Sequence, residues 1–245
     1  MIKLLTENSV FPDFDDGIFT LRQRAFYNSY GTFASFFMTW AQTDESGKIT
    51  AVITSLSGDV TLSLSDEADF EEIRQFLFAT GFSSIFLNKK YARFFPSDRF
   101  DDGKIMELHK ALPYKELTFD EPDYKAVYGL VFNENEISFS DWFTDISFRV
   151  RRNTAYIHAF KDGENTVACA LCSALDGKSA LIGSVSTKED YRFKGIGTSL
   201  VTELCAFLQK KDLSVFLCRE NNKNKDFYSR IGFDDCGEWM SIKNE

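Results

Sequence analysis

Two Asp-Gly pairs, Asp162-Gly163 and Asp176-Gly177, constrain what this chain can fold into more than any other feature. Asp-Gly between alternating apolar runs signals a tight hairpin, because the turn needs the positive φ angles that these residues tolerate. Here the pairs separate three such runs, residues 154–160, 166–175 and 179–187. Three strands on two tight turns make an antiparallel meander. A glycine turn follows, and then a helix whose Leu200, Val201, Leu204, Cys205 and Leu208 share one face at helical spacing. Lys210 and Lys211 are expected in its last turn, where they complement the negative end of the helix dipole.

Residues 213–218 read as a buried strand and 219–224 as a polar loop. A short helix containing Phe227 and Tyr228 comes next, ended by Gly232 as a left-handed cap, and residues 233–242 form the closing strand. Upstream, 121–132 and 138–152 read as helices, with 133–136 as the loop between them. The first half echoes this order. Strands are expected at 33–41, 49–56 and 60–64, a helix at 69–80 with Gly81 at its end, and a strand at 82–87. The repeat of meander, helix and strand predicts an α+β chain built as a tandem duplication, with units 1–113 and 114–245 meeting near Pro113.

Composition narrows the function. The 245 residues suffice for one large or two small domains with a proper core, and the 26 phenylalanines read as core filling. The net charge is −9, divided as −4 over residues 1–115 (12 bases, 16 acids) and −5 over 116–245 (16 bases, 21 acids). Neither half has the basic excess that a phosphate backbone demands, so nucleic acid is not an expected partner. No run approaches the roughly 18 apolar residues of a membrane span, and the start of the chain lacks a signal-like apolar core. A soluble, cytoplasmic protein with no membrane partner is expected, as a monomer or homodimer. Cys169 and Cys172 form a C-x-x-C, but they lie in an apolar strand where residues three apart point to opposite faces. They read as buried thiols, and no metal site is expected.

The chemistry concentrates at the glycine turn, Arg192-Phe193-Lys194-Gly195-Ile196-Gly197-Thr198. Glycines at 195 and 197 permit positive φ and close approach of the backbone to a ligand. Amides gathered at the positive end of a helix make an anion nest suited to a pyrophosphate. A Walker-type loop needs four residues between its glycines, and here there is one. A dinucleotide fingerprint needs a third small residue where Leu200 stands, and a parallel β-α-β lead-in.

The ordered set of Val185-x-Thr187, then Arg192-x-x-Gly195-x-Gly197, an amphipathic helix, a strand, Asn221 and Tyr228-x-x-x-Gly232-Phe233 resembles the GNAT superfamily of N-acetyltransferases. The resemblance covers about residues 116–245. It implies a GNAT-like mixed, mostly antiparallel sheet flanked by helices, with acetyl-CoA as the acyl donor. Under it, the backbone of Val185, Ser186 and Thr187 lines the pantetheine arm and residues 192–198 hold the pyrophosphate. Asn221 and Phe227 contact the cofactor, and Tyr228 protonates the leaving thiolate. Asn224 departs from the family, where a small residue is frequent.

Direct attack by an amine requires an oxyanion site, for which the Val185 amide is expected, and a general base. The sequence does not single the base out. Glu220 is the first candidate, while Glu134 and Glu136 are candidates for binding a cationic acceptor. His158 reads as a strand residue. The first half carries Ser65-Asp66-Glu67-Ala68-Asp69 where the glycine turn should be, and acids there repel a pyrophosphate. Two function classes stay open: an enzyme acylating a small amine, amino acid or peptide amine, and a catalytically silent acyl-CoA-binding or regulatory protein.

Overall fold

The computed structural model describes residues 1–7, 9–32, 34–132, 137–221 and 223–244. The chain divides into two compact units. The first comprises residues 1–105, 219–223 and 235–245, and the second comprises 106–218 and 224–234.

In the first unit, β1 (Ile2–Leu4) is followed by α1 (Ile18–Tyr30) and a meander of β2 (Phe37–Thr43), β3 (Ile49–Leu56) and β4 (Asp59–Leu64). Then come α2 (Phe70–Thr80), β5 (Ser84–Asn88), a 3-10 turn at Lys89–Phe94 and β6 (Phe100–Leu108). The second unit has α3 (Tyr124–Val131), α4 (Phe139–Arg151) and a meander of β7 (Tyr156–Asp162), β8 (Asn165–Leu175) and β9 (Ser179–Thr187). After it come α5 (Ile196–Gln209), β10 (Ser214–Glu220), α6 (Lys225–Ile231) and β11 (Phe233–Lys243). Each unit thus runs helix, three-stranded antiparallel meander, helix, strand, short helical turn, strand. The expected duplication is visible as a repeated order of elements.

Strand order in the first unit is β1-β2-β3-β4-β5-β11-β6, and in the second β6-β10-β9-β8-β7. Both β6 and β11 divide between the units. The larger part of β11, residues 235–243, belongs to the first, where Trp239–Lys243 pairs antiparallel with Asn88–Ser84. The fourth strand of each repeat runs parallel to the last strand of its meander: β5 to β4, and β10 to β9. A parallel neighbour needs a crossover, which α2 and α5 supply.

The core of the second unit joins α5 to the sheet through Leu200, Val201, Leu204, Cys205 and Leu208, packed with Ile182, Val215, Leu217 and Tyr228. Each such side chain contributes about 1.5–3 kcal/mol on burial. Cys172 lies in this cluster, whereas Cys169 lies in the opposite one with Trp142 and Ile146. Burial pushes both thiols up to about 12. Strand alternation therefore separates the C-x-x-C pair, as the sequence implied.

Several expected boundaries move. α5 ends at Gln209, and Lys210 is its C-cap, so neither Lys210 nor Lys211 lies in the last turn. Arg219 and Glu220, read as loop, finish β10. β2 begins at Phe37, whose amide closes a turn onto Ala34 O (3.0 Å); Phe33 lies outside the described residues. α3 starts at Tyr124 because Asp123 caps it, accepting from the Ala126 amide at 3.0 Å. Gly232 takes φ +120°, and a Cβ there would stand 2.4 Å from Lys110 Cβ.

Candidate functional site: an open strand edge leading to an uncapped helix

The site in the second unit grows from an irregularity in β9. Pairing with β8 is regular from Ala168–Thr187 to Cys169–Ser186, then slips so that Leu171 faces Gly183. Two residues, Ser184 and Val185, therefore oppose the single Ala170, which is a β-bulge. Ser184 takes up the irregularity at φ +51°, a conformation unusual for a residue with a Cβ.

On its other side, β9 pairs with β10 only from Ser179–Ser214 to Ile182–Leu217. Beyond Ile182 the register with β10 ends. Lys188 N donates to Val167 O on β8 at 2.9 Å, so by alternation Ser186 also faces β8, while Thr187 and Val185 face away. The backbone groups of Val185 and Thr187 thus form an open strand edge, the geometry to which an extended amide-bearing arm can add as a further strand. Thr187 O is engaged by Arg192 Nε at 3.1 Å. Ser186 Oγ donates to Leu130 O (2.6 Å), tying the last turn of α3 to this stretch of β9.

The open edge leads through a 3-10 turn at Glu189–Tyr191 to the head of α5. Gly195 is the N-cap, in the left-handed region at φ +80°, and supplies no side chain to the first amides of the helix. Most helices satisfy one of those amides with a Ser, Thr, Asp or Asn cap. Leaving them unclaimed creates a positive, donor-rich terminus for an anion. A Cβ at Gly197 would stand 3.4 Å from Thr187 Oγ1 and 3.8 Å from the Phe227 ring, so the residue lies close against strand and helix alike. Phe193 is also at positive φ (+60°) and is fully exposed. Arg192 and Lys194 are exposed, with Lys194 Nζ 5.0 Å from the centre of the Tyr191 ring. Ile196 is half-buried against the core, and Thr198 is exposed.

Tyr228 follows on α6 and is buried, its ring edge-on to Phe227 (4.9 Å) and Phe233 (6.0 Å). Burial, with the Cys205 thiol adding to it, pushes its phenol up to about 12. At neutral pH it stays a protonated hydroxyl, with a proton to donate.

The structure therefore gathers Val185, Ser186, Thr187, the turn 192–198, Phe227 and Tyr228 in one unit. Glu220 and Asn221 belong to the first unit's residues. The Glu220 carboxylate forms an exposed ion pair with Lys223. The Asn221 side chain donates to Asp102 Oδ1 at 2.9 Å, and Asp102 in turn holds Lys89 at 2.5 Å. Glu134 and Glu136 lie outside the described residues. His158 binds Glu203 on α5 at 2.8 Å, and Ser199 donates to the same carboxylate at 2.7 Å. This brace joins β7 to α5, and His158 stands in the strand as the sequence reading has it. The bulge at Ser184 was missed, although Gly183 interrupting an alternating run was its available signal.

Comparisons with known proteins agree with this geometry. The model of the acetyltransferase (GNAT) family matches residues 112–233. No curated protein matches by sequence. Among solved structures, a GNAT-family acetyltransferase from Colwellia psychrerythraea aligns over 100% of both chains at 12% identity and TM-score 0.58. A GCN5-related N-acetyltransferase from Sphaerobacter thermophilus aligns over 89% of this chain and 83% of its own, at 14% identity and TM-score 0.60. A tandem GNAT protein from the clavulanic acid biosynthesis pathway aligns over 99% of this chain and 98% of its own, at 13% identity and TM-score 0.58. Residues 112–233 are thus a GNAT-family acetyltransferase domain, carried in a chain with the fold of a tandem GNAT pair.

Proposed function

We propose that the second unit is an acetyl-CoA-dependent N-acetyltransferase that acylates a small amine, amino acid or peptide amine by direct transfer. The observation that carries this reading is the β9 edge at Val185 and Thr187, free of β10 and running into the uncapped glycine head of α5. That pairing of a strand edge with an anion nest suits a ligand with an amide-bearing arm and a pyrophosphate. Residues 192–198 hold the pyrophosphate, and Val185, Ser186 and Thr187 line the arm. Phe227 closes the side of the arm.

In this reading the acceptor amine attacks the thioester carbonyl. The amide of Val185, the second residue of the bulge, donates to the developing oxyanion. The C–S bond then breaks, and Tyr228 donates to the sulfur as charge develops on it. The amine must shed a proton first, since its free pKa is roughly 10. Glu220 keeps its place as the first candidate base by its position at the end of β10, and Asn221 as a cofactor contact only by the family resemblance. Glu134 and Glu136 remain candidates for the acceptor side on the same footing. A cytoplasmic setting is also part of the proposal, while among the described residues no helix is long and apolar enough to cross a membrane.

One observation favours a second reading, a catalytically silent acyl-CoA binder. No Asp or Glu occurs in β9, and the Glu220 carboxylate is already paired with Lys223. Thiol release from acetyl-CoA across a panel of amines separates the two. Turnover with any acceptor supports the enzyme, and stabilisation by CoA with no turnover supports the binder. If neither ligand raises the melting temperature, both readings fail.

A further inference from the structure

The first unit contains a counterpart of the β9 edge, and it can be aligned residue for residue. Ser65 N donates to Thr50 O at 2.9 Å, just as Lys188 N donates to Val167 O. Leu64 therefore stands where Thr187 stands, and Ser63 where Ser186 stands. β4 and β5 are in parallel register only from Asp59–Ser84 to Thr61–Phe86, so this edge also runs on past its partner.

In the first unit, however, the edge is filled from within. Asp16 Oδ2 accepts from Leu64 N at 3.1 Å, and its Oδ1 accepts from Asn88 Nδ2 at 3.3 Å. The Tyr91 hydroxyl donates to Leu64 O at 2.8 Å. Tyr91 occupies the helical turn after β5 as Tyr228 occupies the one after β10, yet its hydroxyl closes the strand edge. Beside the edge, buried Gln23 of α1 braces the β3–β4 ladder, donating to Val52 O and Thr61 O, both at 2.8 Å, and accepting from Ser63 Oγ at 2.8 Å. Thr20 donates to that same serine oxygen at 3.1 Å.

Two further features of the open site are missing. The β3–β4 register is unbroken from Ala51–Leu64 to Leu56–Asp59, so β4 has no bulge. The head of α2 is capped, with Asp69 Oδ1 accepting from Glu72 N at 2.9 Å, and Glu71 and Glu72 fill its first turn. An anion there meets a satisfied amide and three carboxylates.

We propose that Asp16 is an internal ligand: with Tyr91 it occupies the strand edge that the second unit leaves to an acyl-CoA arm. The first unit is a closed copy of the site, and one chain takes up one acyl-CoA. This rests on the acyl-CoA reading of the second unit. The groups facing Asp16 are Lys90, Asp15, Tyr91 and Asn88, and Lys90 is also shared with Asp66 at 3.6 Å. A carboxylate held in this gap is desolvated, so an isosteric amide is the informative replacement.

Native mass spectrometry of the full chain with acetyl-CoA tests the proposal. With acetyl-CoA near the wild-type Kd, one bound molecule is expected for the wild type and an occupancy lowered about tenfold or more for Gly195→Val, which weakens the second unit's turn. Two molecules on the wild type, or wild-type occupancy retained by Gly195→Val, overturns the closed copy. No binding by the wild type overturns the acyl-CoA reading instead, and a second measurement then decides on Asp16. Asp16→Asn is expected to melt about 5 °C above wild type at pH 8, with the difference closing by pH 4. If it melts no higher than wild type at pH 8, Asp16 is not a desolvated ligand in the strand gap and the proposal fails.

Discussion

Replacing Gly195 by valine separates the anion nest from the fold that carries it. Gly195 has φ +80°, and no atom lies within 4 Å of the place its Cβ would take. The substitution therefore meets no steric wall, and its effect on stability is torsional. Holding an L residue in the left-handed region costs roughly 1–2 kcal/mol, which lowers the melting temperature by about 2–8 °C in a chain of this size. The turn relieves that strain by rotating the 195 peptide, and the gathered amides of residues 195–198 disperse. A hydrogen bond to a charged group is worth about 1.5–3 kcal/mol, so losing one bond to a pyrophosphate raises Kd about 10- to 150-fold. Gly177→Val is the control: Gly177 has φ +90°, equally open surroundings, and lies in the β8–β9 turn. Calorimetric titration with CoA should find Gly177→Val matched to Gly195→Val in melting temperature but matched to wild type in Kd. The reasoning is refuted if Gly195→Val binds CoA within twofold of wild type.

Further predictions follow from the same structure. Tyr228→Phe should lower kcat by about 10²-fold or more with little change in KM for acetyl-CoA, measured by thiol release, because the hydroxyl acts only as sulfur becomes charged. Asp16 has its carboxyl raised by burial from 3.8 to about 6 in the folded chain. The stability this group allows is therefore full below pH 4 and is lost as pH rises through 6, by at most about 3 kcal/mol. Urea titrations of wild type and Asp16→Asn at pH 4 and pH 8 check the sign. Gly103→Ala would put a Cβ 2.0 Å from Arg219 O and 2.8 Å from Trp239 Nε1. A loss of about 1–3 kcal/mol or more is expected in urea unfolding, and an unchanged midpoint would contradict that packing. Removing residues 235–245 takes away the strand that pairs with Ser84–Asn88. Amide exchange should then lose protection in β5 while β7 and β8 keep theirs.

The parts of the fold legible in the sequence are those where a local pattern and its tertiary role agree. The Asp-Gly turns bound β7, β8 and β9, and the one-faced apolar stripe of α5 is the stripe it buries. α1 was not foreseen because it begins at Gly17 without a capping side chain and buries Thr20, Gln23 and Ser29 alongside its apolar residues. Thr20 and Gln23 bond to Ser63, Gln23 also to strand carbonyls, and Ser29 to Ala25 O of its own helix, and they erase the periodicity a reader looks for. β6 was hidden by Asp102-Gly103, the same pair that marks turns elsewhere. Here the glycine is required by the carbonyl of Arg219, 116 residues further along the chain and outside any local window, and the aspartate holds Asn221 and Lys89.

The site was legible to the same degree. The glycine turn stands out in the sequence because backbone torsion and spacing mark it, whereas Val185, Thr187 and Tyr228 enter as candidates only through the resemblance of the ordered motifs to the GNAT family. The parting of β9 from β10 could not, since it depends on where a parallel register ends. The filling of the first unit was visible only in part: its acids at 65–69 were evident, whereas Asp16 lies 48 residues from the Leu64 amide it binds.

The most direct test of the account is release of free CoA thiol from acetyl-CoA by the full chain in the presence of primary amines, run beside Gly195→Val. The account predicts amine-dependent release by the wild type that, at limiting acetyl-CoA, Gly195→Val lowers about tenfold or more while remaining folded. Release that is equal in the two proteins, or no release together with no binding of acetyl-CoA, would contradict it.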